Sequence, residues 1–273
     1  MIARVAPCFS TRLMLLTVDI GNTNTVFGVF AGNELRHTFR ASSSRERTPD
    51  EYCALLHQML QLRGVRTEQL AATIIASVVP QLTDVFVTAV RWCFPHDPIV
   101  VGPGMKTGIS VKYEDPRGVG ADRIVNAVAA YHLVGAGVIV VDFGTATTFD
   151  CISPKGEYLG GVIVPGIQVS LEALLHRAAK LSRVEIAVPP HVLGRNTTHA
   201  LQSGIVHGHA ALVDGMVHRL VTELAFPCEV IATGGLASLI VKHSETVARI
   251  DENLTLLGLR LLYERTASTR RAR

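Results

Sequence analysis

The stretch Val138–Asp150, with the sequence VIVVDFGTATTFD, decides the fold of this chain. Its first four residues are all β-branched, which predicts a strand buried on both faces. Asp142 ends the apolar run, and a turn of glycine and threonines follows. Backbone N–H groups and hydroxyls in such a turn can bind a phosphate, while the aspartate holds its counter-cation. Taken alone, an ordinary hairpin with a polar tip explains the pattern equally well.

The same pattern occurs a second time at Leu15–Phe30, with the sequence LLTVDIGNTNTVFGVF. Aligning the two aspartates superimposes Asp19 on Asp142, Gly21 on Gly144, Asn22 on Thr145, and Thr25 on Thr148. A repeat at this separation predicts two related halves that face each other. Two phosphate-binding hairpins, each with a carboxylate, would hold a nucleotide and its metal ion from both sides.

Composition narrows the class of protein. The chain has 273 residues, enough for one large or two medium domains, and 48% of them are hydrophobic. No apolar run approaches the roughly 18 residues of a membrane span, so we expect no membrane association. The net charge of +3 is mild and spread out, apart from a basic tail, so we expect no nucleic-acid binding. Five scattered cysteines without a C-x-x-C motif predict reduced thiols in a cytoplasmic protein.

The two ends of the chain carry little pattern. The leader before Met14 has no continuous apolar stretch of the kind found in signal peptides. Met14 directly precedes the first predicted strand, so translation starting at Met1 and at Met14 are both compatible with the sequence. We expect residues 1–13 and 267–273 to be disordered.

The order of elements predicts an α/β fold, because strand–turn–strand openings are followed by alternating helices and strands. Thr48-Pro49-Asp50-Glu51 predicts a helix start, with Thr48 as N-cap and Glu51 closing a capping box. A glycine-rich break at Gly135–Gly137 suggests the domain boundary. We therefore expect an N-terminal domain over residues 14–134 and a C-terminal domain over residues 135–266.

The segment Gly118–Arg123 lies at the start of a predicted helix. Its residues are of the types that bind and activate a hydroxyl-bearing substrate. Asp122 has two explanations: it offsets the helix dipole in the first turn, or it orients and deprotonates an attacking hydroxyl. Arg123 beside it can pair with a substrate carboxylate. The chain contains neither G-x-x-x-x-G-K-[ST] nor G-x-S-x-G, which argues against a P-loop enzyme and an α/β-hydrolase.

Together these motifs resemble the type III pantothenate kinases, in the actin-like superfamily that includes sugar kinases. The resemblance covers Met14 to about Arg265, and its motifs occur in the family's order. They are DIGNTNT at Asp19–Thr25, ASVVP at Ala76–Pro80, VGPGMKTG at Val101–Gly108, GADRIVNA at Gly120–Ala127, DFGTATTFD at Asp142–Asp150, GGVIVPG at Gly160–Gly166, LGRNT at Leu193–Thr197 and ATGG at Ala232–Gly235.

The resemblance implies two ribonuclease-H-like domains of the actin-like ATPase type around a nucleotide cleft. It implies that Asp122 is the catalytic base and that Asp142 binds potassium or ammonium. The implied ATP-binding residues are Asp19, Ile20, Gly21, Asn22, Thr23, Asn24, Thr25, Val26 and Thr145. The implied pantothenate-binding residues are Tyr113, Gly120, Ala121, Asp122, Arg123 and Thr197.

The activity implied by the resemblance is ATP-dependent phosphorylation of pantothenate to 4′-phosphopantothenate, the first step of coenzyme A biosynthesis. Mg²⁺ or a similar divalent cation accompanies ATP, and Asp19 is the expected nearby carboxylate. A homodimer is implied, with Thr197 entering the pantothenate site of the partner chain. Two alternatives remain open: a kinase for another small hydroxylated substrate such as a sugar, and a non-catalytic accessory factor for transcription.

Overall fold

The computed structural model describes residues 13–178, 181 and 183–271. The chain divides into two compact units, the first ending at Gly102 and the second beginning at Pro103. This division lies before the 134/135 boundary expected from the sequence, so residues 103–134 belong to the second unit.

The first unit contains a five-stranded sheet covered by helices. Its strand order is β3-β2-β1-β4-β5, with the first three strands antiparallel and β4 and β5 parallel to β1. The elements are β1 (Met14–Ile20), β2 (Asn24–Ala31), β3 (Glu34–Ser42), α1 (Pro49–Gln61), β4 (Leu70–Ser77), α2 (Pro80–Cys93) and β5 (Ile99–Val100).

The second unit repeats this plan with additions. Its sheet has the order β11-β10-β7-β8-β9-β6, and the run from β9 to β11 reproduces the order and strand directions of the first sheet. The predicted duplication is therefore confirmed. The elements are β6 (Ser110–Val111), α3 (Ala121–Val134), β7 (Val138–Phe143), β8 (Ala146–Ile152), β9 (Glu157–Pro165), α4 (Ile167–Arg177), α5 (Thr197–Leu224), β10 (Glu229–Thr233), α6 (Ala237–Ile240), β11 (Arg249–Ile250) and α7 (Leu254–Arg271).

The two Asp-containing hairpins differ in length by one residue. Asp19 pairs with Val26, whereas Asp142 pairs with Thr148. The structural counterpart of Thr25 is therefore Thr147, and the alignment of Thr25 with Thr148 was wrong. Both Thr25 and Thr147 are buried, as their equivalent register requires.

Helix α3 belongs to the second unit because it packs against α7. The contact is close at Gly258, where a Cβ would overlap the carbonyl oxygen of Val125. The sequence could not reveal this pairing, since the two helices are separated by most of the second unit. Helix α7 continues to Arg271, so residues 267–271, expected to be disordered, are helical. The expectation for residues 1–12, 272 and 273 lies outside the described residues.

The cysteines are not all reduced, contrary to our expectation. Cys53 on α1 and Cys93 on α2 form a disulfide across 40 residues of sequence, because the two helices pack against each other. Cys151 and Cys228 are free thiols. Cys8 lies outside the described residues. Within the described part of the chain, every helix is too short or too polar to cross a bilayer.

The start of α1 confirms the predicted capping box. The Thr48 hydroxyl accepts a hydrogen bond from the Glu51 N–H at 3.3 Å, and the Glu51 carboxylate accepts one from the Thr48 N–H at 2.7 Å. These two bonds satisfy donors that the first helical turn leaves without intrahelical partners.

Replacing Thr48 tests how much this cap stabilises the first unit. We expect Thr48→Ala to lower the free energy of unfolding by about 1 kcal/mol, because the Glu51 N–H loses its acceptor. Urea denaturation followed by circular dichroism measures the change. Thr48→Ser keeps the hydroxyl and serves as the matched control, expected to stay within a few tenths of a kcal/mol of wild type. Equal losses in both variants would contradict the assignment.

Candidate active site

Three aspartates and one arginine of the second unit form an interacting group of charges, which we call the carboxylate cluster. Asp122 and Arg123 lie in the first turn of α3, Asp142 near the end of β7, and Asp150 within β8. Burial, reinforced by the negative charges of Asp122 and Asp150, raises the pKa of Asp142 to about 7. Three carboxylates and one guanidinium leave the cluster with negative charge when all are ionised.

The Arg123–Asp150 ion pair forms the buried part of this cluster. The Nε of Arg123 donates to Oδ1 of Asp150 at 2.7 Å, and both side chains are almost inaccessible to solvent. Oδ1 also accepts a hydrogen bond from the Tyr158 hydroxyl at 2.7 Å, and Oδ2 accepts one from the Thr148 hydroxyl at 3.2 Å. Strands β8 and β9 thereby fix the carboxylate that holds the start of α3.

One nitrogen of Arg123 remains available. Its Nη2 is buried and has no hydrogen-bond partner within the described residues. Gly161 on β9 lies beside it, because a Cβ there would approach Nη2 to 2.8 Å and overlap the carbonyl oxygen of Phe149. A buried guanidinium N–H without an acceptor is costly, so this nitrogen is suited to an anionic group of a ligand.

Asp142 is held by a second chain of hydrogen bonds. The Asn126 amide donates to Oδ2 of Asp142 at 3.1 Å, and the Thr255 hydroxyl donates to Oδ1 of Asn126 at 2.7 Å. Thr255 lies on α7, so the α3–α7 packing orients the amide. The register places Asp142 between Thr148 on β8 and Thr233 on β10.

The surroundings of Asp142 fit a cation. A Cβ at Gly234 would lie 2.6 Å from the carbonyl oxygen of Phe143 and 2.7 Å from Oδ1 of Asp142, so two oxygens converge beside this glycine. Carbonyl and carboxylate oxygens suit hard cations, and a cation would relieve the crowding of negative charge. Within the described residues, no group of three or more His, Cys, Asp or Glu side chains is placed to hold a metal. A site here would therefore combine one carboxylate with neutral oxygens.

Asp122 is half-buried and has the environment of a proton acceptor. Burial raises the pKa of its carboxyl, while the N–H and guanidinium of Arg123 oppose that rise. The N–H of Arg123 donates to Oδ1 of Asp122 at 2.8 Å, which fixes the carboxylate at the start of α3. A raised pKa makes a carboxylate a stronger base than an exposed aspartate.

The structure brings several of the predicted pantothenate-binding residues together. Gly120 is the N-cap of α3 and Ala121 its first residue, directly before Asp122 and Arg123. The ring of Tyr113, 39% exposed, packs edge-on against Tyr158 with centroids 6.3 Å apart. Tyr158 in turn lies under the Arg123 guanidinium.

Thr197 lies on a different element, at the exposed first position of α5. Asn196 caps this helix by accepting a hydrogen bond from the His199 N–H at 2.8 Å. The position of Thr197 at a helix start leaves its side chain facing solvent.

The predicted nucleotide-binding residues occupy two polar turns. In the first unit, Asp19 and Ile20 end β1 and the exposed turn residues follow; the N–H of Gly21 donates to the Asn24 carbonyl at 3.0 Å. In the second unit, the N–H of Gly144 donates to the Ala146 carbonyl at 3.0 Å, and Thr145 is exposed. The exposed first-unit residues are Asn22, Thr23 and Asn24, whereas the side chains of Ile20 and Thr25 are buried.

Sequence reasoning did not single out Asn126, Asp150 or Tyr158. A signal was present for Asp150, because a carboxylate within the otherwise apolar segment Phe149–Ile152 needs a buried partner. Its partner Arg123 is 27 residues away, and only the pairing of β8 with β9 brings in Tyr158. Asn126 carries no comparable signal, because a single polar residue inside a helix is common.

Comparison with known proteins is consistent with this geometry. The profile of the family "Type III pantothenate kinase" matches residues 15–219. The type III pantothenate kinase of Myxococcus xanthus is 53% identical over 252 residues, covering 92% of this chain and 98% of the relative. That of Moorella thermoacetica is 50% identical over 252 residues, covering 92% and 99% respectively.

The fold has relatives among solved structures. MreB 5 of Spiroplasma citri bound to AMPPNP superimposes with a TM-score of 0.59, covering 95% of this chain and 98% of that protein at 10% identity. This likeness establishes an actin-like ATPase fold. The family profile spans most of this chain, and the chain shares 53% identity with a curated member of the family. The chain therefore belongs to the type III pantothenate kinase family.

Proposed function

We propose that this protein transfers the γ-phosphoryl group of ATP to the primary hydroxyl of pantothenate, giving 4′-phosphopantothenate in the first step of coenzyme A biosynthesis. Beyond family membership, one observation carries the assignment. Within one helical turn, α3 presents a carboxylate suited to accept a proton and a fixed guanidinium with a spare N–H. Pantothenate has both matching groups, a primary hydroxyl and a carboxylate.

The two polar turns supply phosphate binding. We assign the residues Asp19 to Val26 and Thr145 to ATP, since their backbone N–H groups and the exposed Asn22, Thr23 and Asn24 can donate to phosphate oxygens. A divalent cation such as Mg²⁺, near Asp19, neutralises phosphate charge when bound. Positioning and charge neutralisation then provide most of the catalysis.

The acceptor is bound by α3 and its neighbours. Asp122 orients the primary hydroxyl and accepts its proton as the bond from the hydroxyl oxygen to the γ-phosphorus forms and the bond from that phosphorus to the ADP oxygen breaks. Arg123 binds the pantothenate carboxylate, and the exposed ring of Tyr113 packs against the pantothenate chain. Gly120 and Ala121 allow the substrate to approach the backbone at the helix start.

Asp142 is the proposed ligand of a monovalent cation, potassium or ammonium. Burial and the nearby charges of Asp122 and Asp150 raise the pKa of Asp142 to about 7. The carbonyl of Phe143 supplies a second oxygen. When bound, the cation supplies positive charge to a site that receives a polyphosphate.

A homodimer is supported by exposed aliphatic side chains in the second unit. Ile163 on β9 is 61% exposed, and Val192 and Leu193 before α5 are 67% and 75% exposed. Exposed apolar side chains mark an interface where they form one contiguous patch, and the proposed dimer requires that of these three residues. We propose that the partner chain covers them and that Thr197 enters the partner's pantothenate site. A cytoplasmic location agrees with this biosynthetic role.

ADP release by the purified protein tests the proposed activity. With ATP, Mg²⁺ and K⁺ present, adding pantothenate is expected to start ADP production, and mass spectrometry should detect 4′-phosphopantothenate. Absence of stimulation in a folded protein would refute the proposal. A panel of sugars then tests the related-kinase alternative, and a gel shift with DNA at moderate salt tests the transcriptional one.

Asp122→Asn should abolish most of the activity. We expect pantothenate-dependent ADP release to fall about 10²–10⁴-fold, because the amide cannot accept the hydroxyl proton. Asp84→Asn makes the same change at an exposed position of α2 and is the matched control. Circular dichroism checks that both variants are folded. Wild-type turnover by Asp122→Asn would disprove its role as base.

Replacing K⁺ with Na⁺ at constant ionic strength should lower the rate of ADP release, because the oxygens around Asp142 would bind the smaller ion differently. In Asp142→Asn the two salts are expected to give equal rates, since the charged ligand is missing. The initial rate in each salt is the measurement. A wild-type rate independent of the cation would count against the site.

Mixing two inactive variants tests whether Thr197 acts across the dimer. Asp122→Asn and Thr197→Ala homodimers are each expected to be nearly inactive. After denaturation and refolding together, a heterodimer has one site with both native residues only if Thr197 comes from the partner. We then expect activity to recover by up to roughly a quarter of wild type, from random association of two chains. No recovery in a mixture that size-exclusion chromatography shows to be dimeric would place Thr197 in its own chain's site.

A further inference from the structure

Asp150 is a charged residue in an expensive position. Asp150 lies in β8, an inner strand of the second sheet, and has no exposed surface. Its ion-pair partner Arg123 is 8% exposed. Removing two charges from water costs several kcal/mol per ion, and a buried ion pair is often no more stabilising than apolar residues of the same volume. A gain in stability is therefore a weak explanation for this pair.

The geometry around Asp150 restricts how Arg123 can point. Tyr158 and Thr148 fix the carboxylate from two strands, and its Oδ1 accepts from Nε of Arg123 at 2.7 Å. A guanidinium is planar, so a fixed Nε leaves little freedom to the terminal nitrogens. Nη2 is buried and has no hydrogen-bond acceptor among the described residues.

We propose that Asp150, together with Tyr158, is a positioning residue that orients Arg123 toward the carboxylate of the acceptor and so sets the preference for an acidic substrate. The inference rests on the proposed function, because it assumes that pantothenate is the acceptor. Asp150 does not touch the substrate and acts through Arg123. Tyr158 contributes one hydrogen bond to the same carboxylate oxygen.

Strand β9 has the shape that this role requires. Gly161 cannot carry a side chain, because its Cβ would overlap the Phe149 carbonyl and crowd Nη2 of Arg123. Gly160 has a φ of +133°, a conformation that favours glycine, and its position faces the ring of Tyr113. The strand therefore passes Arg123 and Tyr113 as bare backbone, and β9 places no side chain against Nη2 at Gly161.

The test compares pantothenate with pantothenol, in which a neutral hydroxymethyl group replaces the carboxylate. For Asp150→Asn we expect the KM for pantothenate to rise about 10–100-fold, the worth of one hydrogen bond to a charged group, with kcat changed much less. The KM for pantothenol should change less than about 3-fold, because no carboxylate depends on Arg123. The ratio of the two KM values is the decisive readout, since a merely structural defect would move both.

Two further variants sharpen the comparison. Tyr158→Phe removes a single bond to Asp150, so we expect the same selective rise in the KM for pantothenate at about 2–5-fold. Tyr131 lies on α3 away from the ion pair, and its hydroxyl donates to the Pro154 carbonyl. Tyr131→Phe removes that hydroxyl and should leave the KM ratio at the wild-type value. In a double-mutant cycle, adding Asp150→Asn to Arg123→Gln should cause little further loss for pantothenate.

The outcomes separate this inference from the proposed function. Equal losses for both substrates, or no change in Asp150→Asn, would overturn the positioning role. If Asp150→Asn does not fold, Tyr158→Phe decides by the same ratio. If the wild type shows no turnover, the kinase is refuted and isothermal titration tests the positioning role by itself. A Kd that weakens in the variants for pantothenate but not for pantothenol would then support that role. A wild type that neither binds nor phosphorylates pantothenate would overturn both.

Discussion

The site depends on the central strand β7, which is hydrogen-bonded on both sides. Its pairing is antiparallel with β8 and parallel with β10, so the register carries Asp142 to an edge between Thr148 and Thr233. At the carboxyl ends of parallel strands the chain must turn away, and the backbone there is open to ligands. The carboxylate is therefore half-buried by its strand and lies where a ligand can reach it. The same pairing in the first sheet places Asp19 at the corresponding position.

Burial of this kind concentrates charge, and the surrounding polar network determines what each carboxylate can do. Asp150 is neutralised by Arg123, although burial still raises its pKa to about 6. Asp142 has a neutral amide as its partner, so its pKa rises further, to about 7. Asp122 keeps only the N–H and the guanidinium next to it in sequence. Three chemically identical groups thus have three environments, suited to positioning, cation binding and proton transfer.

Much of this architecture could be predicted because it is encoded locally. The run of β-branched residues before Asp142, the capping box at Thr48 and the glycine after α3 each specify a local structure by short-range sterics and hydrogen bonding. The duplicated Asp-x-Gly pattern then predicted two related halves, and the matching strand orders of the two sheets confirm that they are related. What the sequence did not reveal depends on long-range packing. The partner of α3 is α7, and this contact moves the division between the units to Gly102. The disulfide between Cys53 and Cys93 follows in the same way from helix packing.

The two units share one sheet topology but differ in what is attached to it. In the second unit, α3 lies between β6 and β7 and carries Asp122, Arg123 and Asn126. One helix therefore supplies the ion-pair partner of Asp150 and the amide that holds Asp142. The first sheet begins directly with β1 in the described chain, and its turn presents exposed asparagine and threonine side chains. In the proposed function, the repeated hairpin binds phosphate, which every nucleotide offers in the same form. Recognition of one particular acceptor requires groups outside the repeat, and we infer that α3 adds them.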